Sequence, residues 1–246
     1  MALEAIPHCV AARFGTGSAH GERAMIEEGS SGRSGAGRLR AEFLALFVLS
    51  PIVMAIVVPP QHMFPVLFAM TAIGLVLLHR TATFRWRDLF AGRDSIDWAW
   101  IWLIGLLVML FGTGLLWLVR PEALFSLVRR QPELMIMILM LYPLLSALPQ
   151  ELLFRALYFR RYRSILPRQR WAALLLNAAI FSLAHLMYWS WVVLFMTFVG
   201  GLAFAWAYEI RRSFPMALLL HAVAGDVLFL VGLGVFFYSG NVVRPF

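Results

Sequence analysis

Residues 149–162 read PQELLFRALYFRRY, and they place polar and charged side chains inside a chain that is otherwise strongly apolar. Gln150, Glu151 and Arg155 fall within six residues of one another. An ionisable side chain at membrane depth costs several kcal/mol, so such residues tend to be kept for a function. Glu151 and Arg155 are four residues apart, which puts them on one helix face where they can form an ion pair.

The composition indicates a membrane protein. Of the 246 residues, 61% are hydrophobic and 14% are charged, and the mean hydropathy is +0.79. A soluble domain of this size needs about a quarter of its residues charged. The net charge of +8 does not indicate a nucleic-acid partner, because all 21 basic residues are arginines placed mostly at the ends of apolar runs.

The apolar runs predict an all-α polytopic membrane bundle of about seven transmembrane helices. The fourth and seventh runs are long, which fits tilt or extension past the bilayer. The predicted spans are 41–59, 62–79, 98–119, 134–158, 171–189, 190–210 and 214–238.

Arginine positions predict the orientation of the bundle. With the N-terminus inside, seventeen arginines fall on cytoplasmic segments and four on outer segments. The positive-inside rule therefore predicts a cytoplasmic N-terminus and an outer C-terminus. We expect the protein in the inner membrane of a bacterium.

The chain divides into three predicted regions. Residues 1–39 are polar, contain the low-complexity piece GSSGRSGAG, and are expected to form a disordered tail. Residues 40–131 carry the first membrane helices, and residues 132–246 carry the predicted functional core. LFSLVRRQPE, just before the fourth span, predicts a short interfacial helix.

Ionisable side chains concentrate in spans four to seven. They are Glu151, Arg155, His185, His221 and Asp226. Glu151 and His221 each lie nine residues from a cytoplasmic arginine, about 13 Å by helix rise. The ion pair alone can be a structural lock, a lone membrane histidine can simply bond across helices, and Asp226 is expected to be structural or interfacial. Convergence of a glutamate and two histidines favours a functional polar site.

Three short motifs carry a family resemblance. QELLFR at 150–155, FSLAH at 181–185 and HAVAG at 221–225 resemble the EExxxR, FxxxH and HxxxN motifs of the CPBP intramembrane proteases. This is the CAAX prenyl protease type II and bacteriocin-processing (Abi) family, and the resemblance covers about 134–240. The helix of the sixth span, GGLAFAWAY, is rich in small residues and predicts close helix packing.

The resemblance implies a helix bundle around a water-accessible cavity that opens toward the cytoplasm. In the family, the first glutamate of the pair activates water with the second-motif histidine, and the third-motif histidine and asparagine stabilise the oxyanion. This chain departs from the pattern at Gln150, which replaces the first glutamate, and at Gly225, which replaces the asparagine. An amide cannot take a proton from water. Asp226 is adjacent, but helix geometry points it away from the His221 face.

We therefore predict an intramembrane endopeptidase that hydrolyses a peptide bond in a membrane-associated protein or peptide. Glu151 would serve as the base, with Arg155 paired loosely so that Glu151 keeps its basicity. His185 would polarise the water or share its proton, His221 would stabilise the oxyanion, and Gln150 would donate to the substrate carbonyl. Membrane lipids and this substrate are the expected partners.

Three alternatives remain open at this stage. No cofactor is favoured, but Zn²⁺ held by Glu151, His185 and His221 is chemically acceptable, with a water as fourth ligand; no HExxH spacing supports it. A catalytically silent relative that acts as a binding, immunity or scaffold protein is supported by Gln150. A proton or metal transporter is the third alternative, and the lack of an evident internal repeat argues against it.

Overall fold

The structure is a computed structural model that describes residues 35–246. Residues 1–34, which hold most of the predicted tail, lie outside the described part of the chain. The first described helix begins at Gly35, and residues 39–246 pack as one compact unit.

The described chain is helical throughout, with no strand among residues 35–246, and the predicted all-α bundle is confirmed. Seven helices are long and apolar enough to cross a membrane, so the protein is an integral membrane protein. They are α1 (Gly35–Ile56), α2 (Pro60–His79), α3 (Trp98–Val119), α4 (Pro132–Arg161), α5 (Arg170–Tyr188), α6 (Trp191–Glu209) and α7 (Phe214–Val231).

Most helix ends agree with the predicted spans, and α3 agrees at both. The largest difference is the end of α7, which stops at Val231 instead of residue 238. Gly232 ends this helix with a φ of +104°, a conformation that side chains with a Cβ disfavour. A Cβ there would also lie 2.0 Å from the Ala123 carbonyl oxygen. The predicted short helix before α4 is present at Ser126–Arg130.

Helix α4 switches from the α-helical to the π-helical hydrogen-bond pattern at two places near the polar motif. Two π-helical stretches, Pro143–Ala147 and Leu152–Leu157, flank the short α-helical segment Leu148–Glu151. Pro143 and Pro149 lack a backbone N–H and crowd the preceding turn, so a regular α-helix cannot continue through them unchanged. Single π turns occur often at functional sites, and here they set the direction of the side chains on either side of Glu151.

Helices α5 and α6 approach closely at the small-residue face predicted from the sequence. A Cβ on Gly201 would lie 2.9 Å from Cδ1 of Phe181 and 3.4 Å from Cα of Ala178. The absent side chain therefore lets α6 press against the segment of α5 that carries Phe181, and it brings the end of α5 toward the bundle centre.

A polar cluster joins three helices at the end of the bundle where α4 ends. Arg161 forms an ion pair with Glu42 of α1, in which Nη2 lies 2.9 Å from Oε2, and it donates to the Leu77 carbonyl of α2 at 3.3 Å. The Tyr162 hydroxyl donates to Glu42 at 2.6 Å. Burial and this carboxylate raise the pKa of Tyr162. The cluster therefore fixes α1 and α2 against α4.

Removal of the Arg161 charge is expected to destabilise the bundle. Arg161→Met keeps the length of the side chain but removes the charge partner of Glu42, which costs about 1–3 kcal/mol for a buried polar group. Thermal unfolding in detergent should show a lower midpoint. Arg163→Met is the matched control, because the Arg163 side chain is 64% exposed in its pair with Glu209 and such pairs contribute little. Equal midpoints for the two variants would contradict this role.

Candidate active site

The ionisable residues of α4 and α7 form one connected group inside the bundle. Oε1 of Glu151 lies 2.9 Å from Nδ1 of His221, and Oε2 lies 3.3 Å from Nε of Arg155. The side chains of Glu151 and Arg155 are 0% exposed, and that of His221 is 6% exposed. The carboxylate is thus held between a cation and an imidazole, which offsets the cost of its burial.

Glu151 lies behind His221 as seen from the central cavity. Residues that line the cavity include His221 but not Glu151. A carboxylate only accepts hydrogen bonds, so Nδ1 of His221 carries the proton shared with it, and Nε2 is the nitrogen left to act in the cavity. This carboxylate–imidazole pair orients the ring as the acidic residue does in a Ser-His-Asp triad.

Arg155 pairs with Glu151 without a well-aligned hydrogen bond, since neither its Nε nor Oε2 of Glu151 has a hydrogen-bond partner among the described residues. The guanidinium lies over the Phe181 ring at 4.8 Å and donates to Oδ1 of Asn177 at 2.9 Å. Stacking on an aromatic face stabilises a buried cation. The ion pair predicted from the sequence is therefore present, without a well-aligned hydrogen bond between the two side chains.

Asn177 is a positioning residue that the sequence reasoning missed. It is fully buried on α5, accepts from Arg155, and donates to the Phe154 carbonyl at 2.7 Å. That carbonyl belongs to the second π-helical stretch of α4. The sequence feature that could have identified Asn177 is its amide in the middle of an apolar span. It lies four residues before Phe181 and therefore on the same helix face.

His185 follows the last α-helical turn of α5, which ends at Ala184. Its Nδ1 lies 2.8 Å from the Phe181 carbonyl oxygen. A carbonyl only accepts, so Nδ1 is the donor, and Nε2 is left as an acceptor. His185 lines the cavity, and its ring centroid lies 4.8 Å from that of Phe181. It joins the site through the cavity and makes no hydrogen bond to Glu151 or His221 among the contacts described.

Gln150 lines the cavity, as His221 does. Its Nε2 donates to Oγ of Ser146 at 3.0 Å, and its Oε1 is buried with no hydrogen-bond partner in residues 35–246. Gln150 and Glu151 are therefore neighbours in sequence with separate environments. The amide faces the cavity, and the carboxylate lies behind it.

Tyr142 occupies the space that a side chain at position 225 would need. A Cβ on Gly225 would lie 2.1 Å from Cε1 of the Tyr142 ring and 2.4 Å from its hydroxyl oxygen. The Tyr142 ring centroid is 6.1 Å from that of His221, and its hydroxyl interacts with Ser146. Tyr142, Ser146 and Gln150 are spaced four residues apart, and all three line the cavity. This polar stripe is visible in the sequence, but the three motifs include only Gln150.

Asp226 is not part of the site. It is half-buried on α7, does not line the cavity, and its Oδ1 has no hydrogen-bond partner among the described residues. The sequence reasoning placed it away from the His221 face, and the structure agrees.

The cavity itself has a volume of about 740 Å³ and a mainly apolar wall. Among the described residues that line it, none is aspartate, glutamate or arginine. Its polar wall near the motifs consists of Tyr142, Ser146, Gln150, His185 and His221.

The alternative zinc set does not fit this geometry. Both oxygens of Glu151 face protein groups, one toward His221 and one toward Arg155. Among residues 35–246, no three His, Cys, Asp or Glu side chains are grouped as metal ligands. A zinc ion at Glu151, His185 and His221 would first require that both contacts of the carboxylate be broken.

Comparison with protein-family models finds a match for part of the chain. Residues 132–225 match the family model described as Type II CAAX prenyl endopeptidase Rce1-like. No curated protein and no solved structure matches the chain. The matched range contains all three motifs, from Gln150 to Gly225. The resemblance read from those motifs is therefore confirmed, and the second half of this membrane protein carries a Type II CAAX prenyl endopeptidase Rce1-like domain.

Proposed function

We propose that the protein is an intramembrane endopeptidase that hydrolyses a peptide bond in a membrane-associated protein or peptide, in the inner membrane of a bacterium. The observation that carries the proposal is the buried Glu151–His221 pair at the wall of a cavity that His185 also lines. The Rce1-like domain supports proteolysis as the type of reaction.

Water activation would use the pair as a unit. A water in the cavity donates one hydrogen bond to Nε2 of His185, which orients it. The same water transfers its other proton to Nε2 of His221. Glu151 stabilises the resulting imidazolium through Nδ1–H, so the carboxylate acts through the histidine. This assigns Glu151 a supporting charge where the sequence alone suggested direct proton abstraction.

The hydroxide then attacks the carbonyl carbon of the scissile bond. The carbonyl electrons move to oxygen, the tetrahedral intermediate collapses with cleavage of the C–N bond, and His221 returns its proton to the leaving amine. Arg155 does not touch the reacting atoms. Its positive charge lies next to Glu151 and offsets the cost of burying the carboxylate.

Two neutral donors are available for the oxyanion. The Gln150 amide has a second N–H beyond the one donated to Ser146, and the Tyr142 hydroxyl lies over Gly225. Donors aimed at the developing charge in a dry site are worth several kcal/mol. We assign the Gln150 amide and the Tyr142 hydroxyl this role, the latter in place of the asparagine that the family motif carries.

A silent relative that binds a partner without cleaving it is the second candidate. The amide of Gln150 in the cavity favours it, because the family pattern has the water-activating carboxylate at that position. The two candidates differ in a measurable way, since only the enzyme loses turnover when the Glu151–His221 pair is disrupted.

Disruption of the pair is expected to abolish cleavage. Glu151→Gln and His221→Ala should each lower kcat by about 100-fold or more, the usual effect of general acid–base groups. The measurement is cleavage of membrane-anchored reporter peptides by purified protein in lipid, with thermal unfolding as a folding check. Glu133→Gln, which removes an exposed carboxylate at the start of the helix that carries Glu151, is the matched control. Full activity of a folded Glu151→Gln protein would rule out this mechanism.

Loss of the Tyr142 hydroxyl is expected to lower kcat by about 100- to 1000-fold with little change in KM, as for loss of one oxyanion donor. Tyr142→Phe keeps the ring that packs against Gly225. Tyr238→Phe removes another phenol of the cavity wall, in the segment that follows α7, and should leave kcat near the wild-type value. If the two variants behave alike, Tyr142 has no special part in the reaction.

Chelators should leave activity unchanged, because the donor set does not suit a metal ion. The measurement is the same cleavage assay after prolonged treatment with EDTA and with 1,10-phenanthroline. Inhibition that added Zn²⁺ reverses would instead support the zinc alternative.

A further inference from the structure

The geometry points to a substrate that enters from the extracytoplasmic side, as an apolar membrane-anchored segment of an exported polypeptide. That this segment is cleaved rests on the proposed function, but the direction from which it enters does not. It follows from where the cavity lies along the helices and from where the arginines lie.

The cavity occupies one half of the bundle. From α5 only residues 181–188 contribute to its wall, from α6 only residues 195–204, and from α7 only residues 221–229. Helices α5 and α7 end at this side of the bundle, and α4 and α6 begin there. Residues 237–239, which follow α7, also line the cavity. We call this side the open end.

The other end is filled by side chains and contributes nothing to the wall. Tyr158, Tyr162 and Leu174 are 0% exposed there, Phe159 is 3% and Phe214 is 5%. Side chains packed to this degree leave no passage for a peptide. We call this side the closed end.

The arginines lie mainly at the closed end. Residues 80–97, 156–170 and 210–213 carry eleven of them, whereas residues 120–131 and 232–246 at the open end carry four. The positive-inside rule counts basic residues in short loops and is insensitive to neighbouring acids. The closed end is therefore cytoplasmic and the open end faces outside, opposite to the direction that the family resemblance implies.

The wall of the cavity also opens toward lipid. Several of its residues are half-exposed on four different helices, with 44% exposure for Phe64, 43% for Phe111, 50% for Met137 and 57% for Phe195. On a membrane bundle such positions contact acyl chains. An apolar segment already in the bilayer can therefore reach the cavity from the side, and the uncharged wall matches a neutral segment.

Cysteine labelling tests the direction of entry. In a Cys9→Ser background, which removes the only cysteine, Ser239→Cys and Ser50→Cys mark the mouth and wall of the cavity. Ser95→Cys is the control on an exposed loop at the closed end. A membrane-impermeant maleimide added to right-side-out vesicles should label the first two, and should label the third only after permeabilisation.

The opposite pattern would overturn the inference. Labelling of Ser95→Cys from outside would place the arginine-rich end outside. Labelling of Ser50→Cys from the cytoplasmic side only, or from neither side, would show that the cavity does not open outward. None of these results depends on catalysis, so a silent protein gives the same labelling.

Reporter cleavage tests the class of substrate separately. Two reporters with the same apolar anchor are co-expressed, one with its candidate cleavage site just outside the membrane and one with it just inside, the latter including a prenylated cytoplasmic C-terminus. Cleavage of the outer reporter alone is expected. Cleavage of the inner reporter alone overturns the proposal, and cleavage of neither, with outward labelling, counts against the endopeptidase function instead.

Discussion

Glu151 carries a carboxylate into the interior of a membrane-spanning bundle, where an uncompensated charge costs several kcal/mol. The contacts that compensate it determine the rest of the site. His221 provides a hydrogen bond from α7, and Arg155 provides a cation one helical turn away. Each of these is supported in turn, His221 by stacking on Phe204 at 4.6 Å and Arg155 by Asn177. One buried charge thus fixes α4 against three other helices.

The irregular geometry of α4 makes this arrangement possible. Pro143 and Pro149 interrupt the regular hydrogen-bond ladder, and π-helical turns on both sides of Leu148–Glu151 redirect the neighbouring side chains. Within the α-helical segment between them, consecutive side chains point about 100° apart, so Gln150 reaches the cavity while Glu151 reaches the protein interior. The Phe154 carbonyl in the second π stretch accepts from Asn177, so the residue that steadies Arg155 also satisfies the backbone of the altered helix.

The two departures from the family motif have different structural consequences. Gln150 puts a neutral amide at the cavity wall, so Glu151 is the only carboxylate of the motif pair. Gly225 leaves a gap on α7 that the Tyr142 ring fills, with its hydroxyl next to the missing side chain. Gly225 on α7 and the Tyr142 ring on α4 are thus complementary in size. A side chain at position 225 would require that Tyr142 move. Both departures leave uncharged hydrogen-bond donors around the histidines.

The sequence by itself determined the fold class and the seven spans, because hydropathy and helical spacing are local properties that survive without tertiary context. It also identified the family through three motifs. The contacts of Tyr142 with Gly225 and of Asn177 with Arg155 were decided only by tertiary structure, since contacts between distant helices leave no local pattern. The end of the bundle at which the cavity lies was decided there too, because packing at each end depends on all seven helices together.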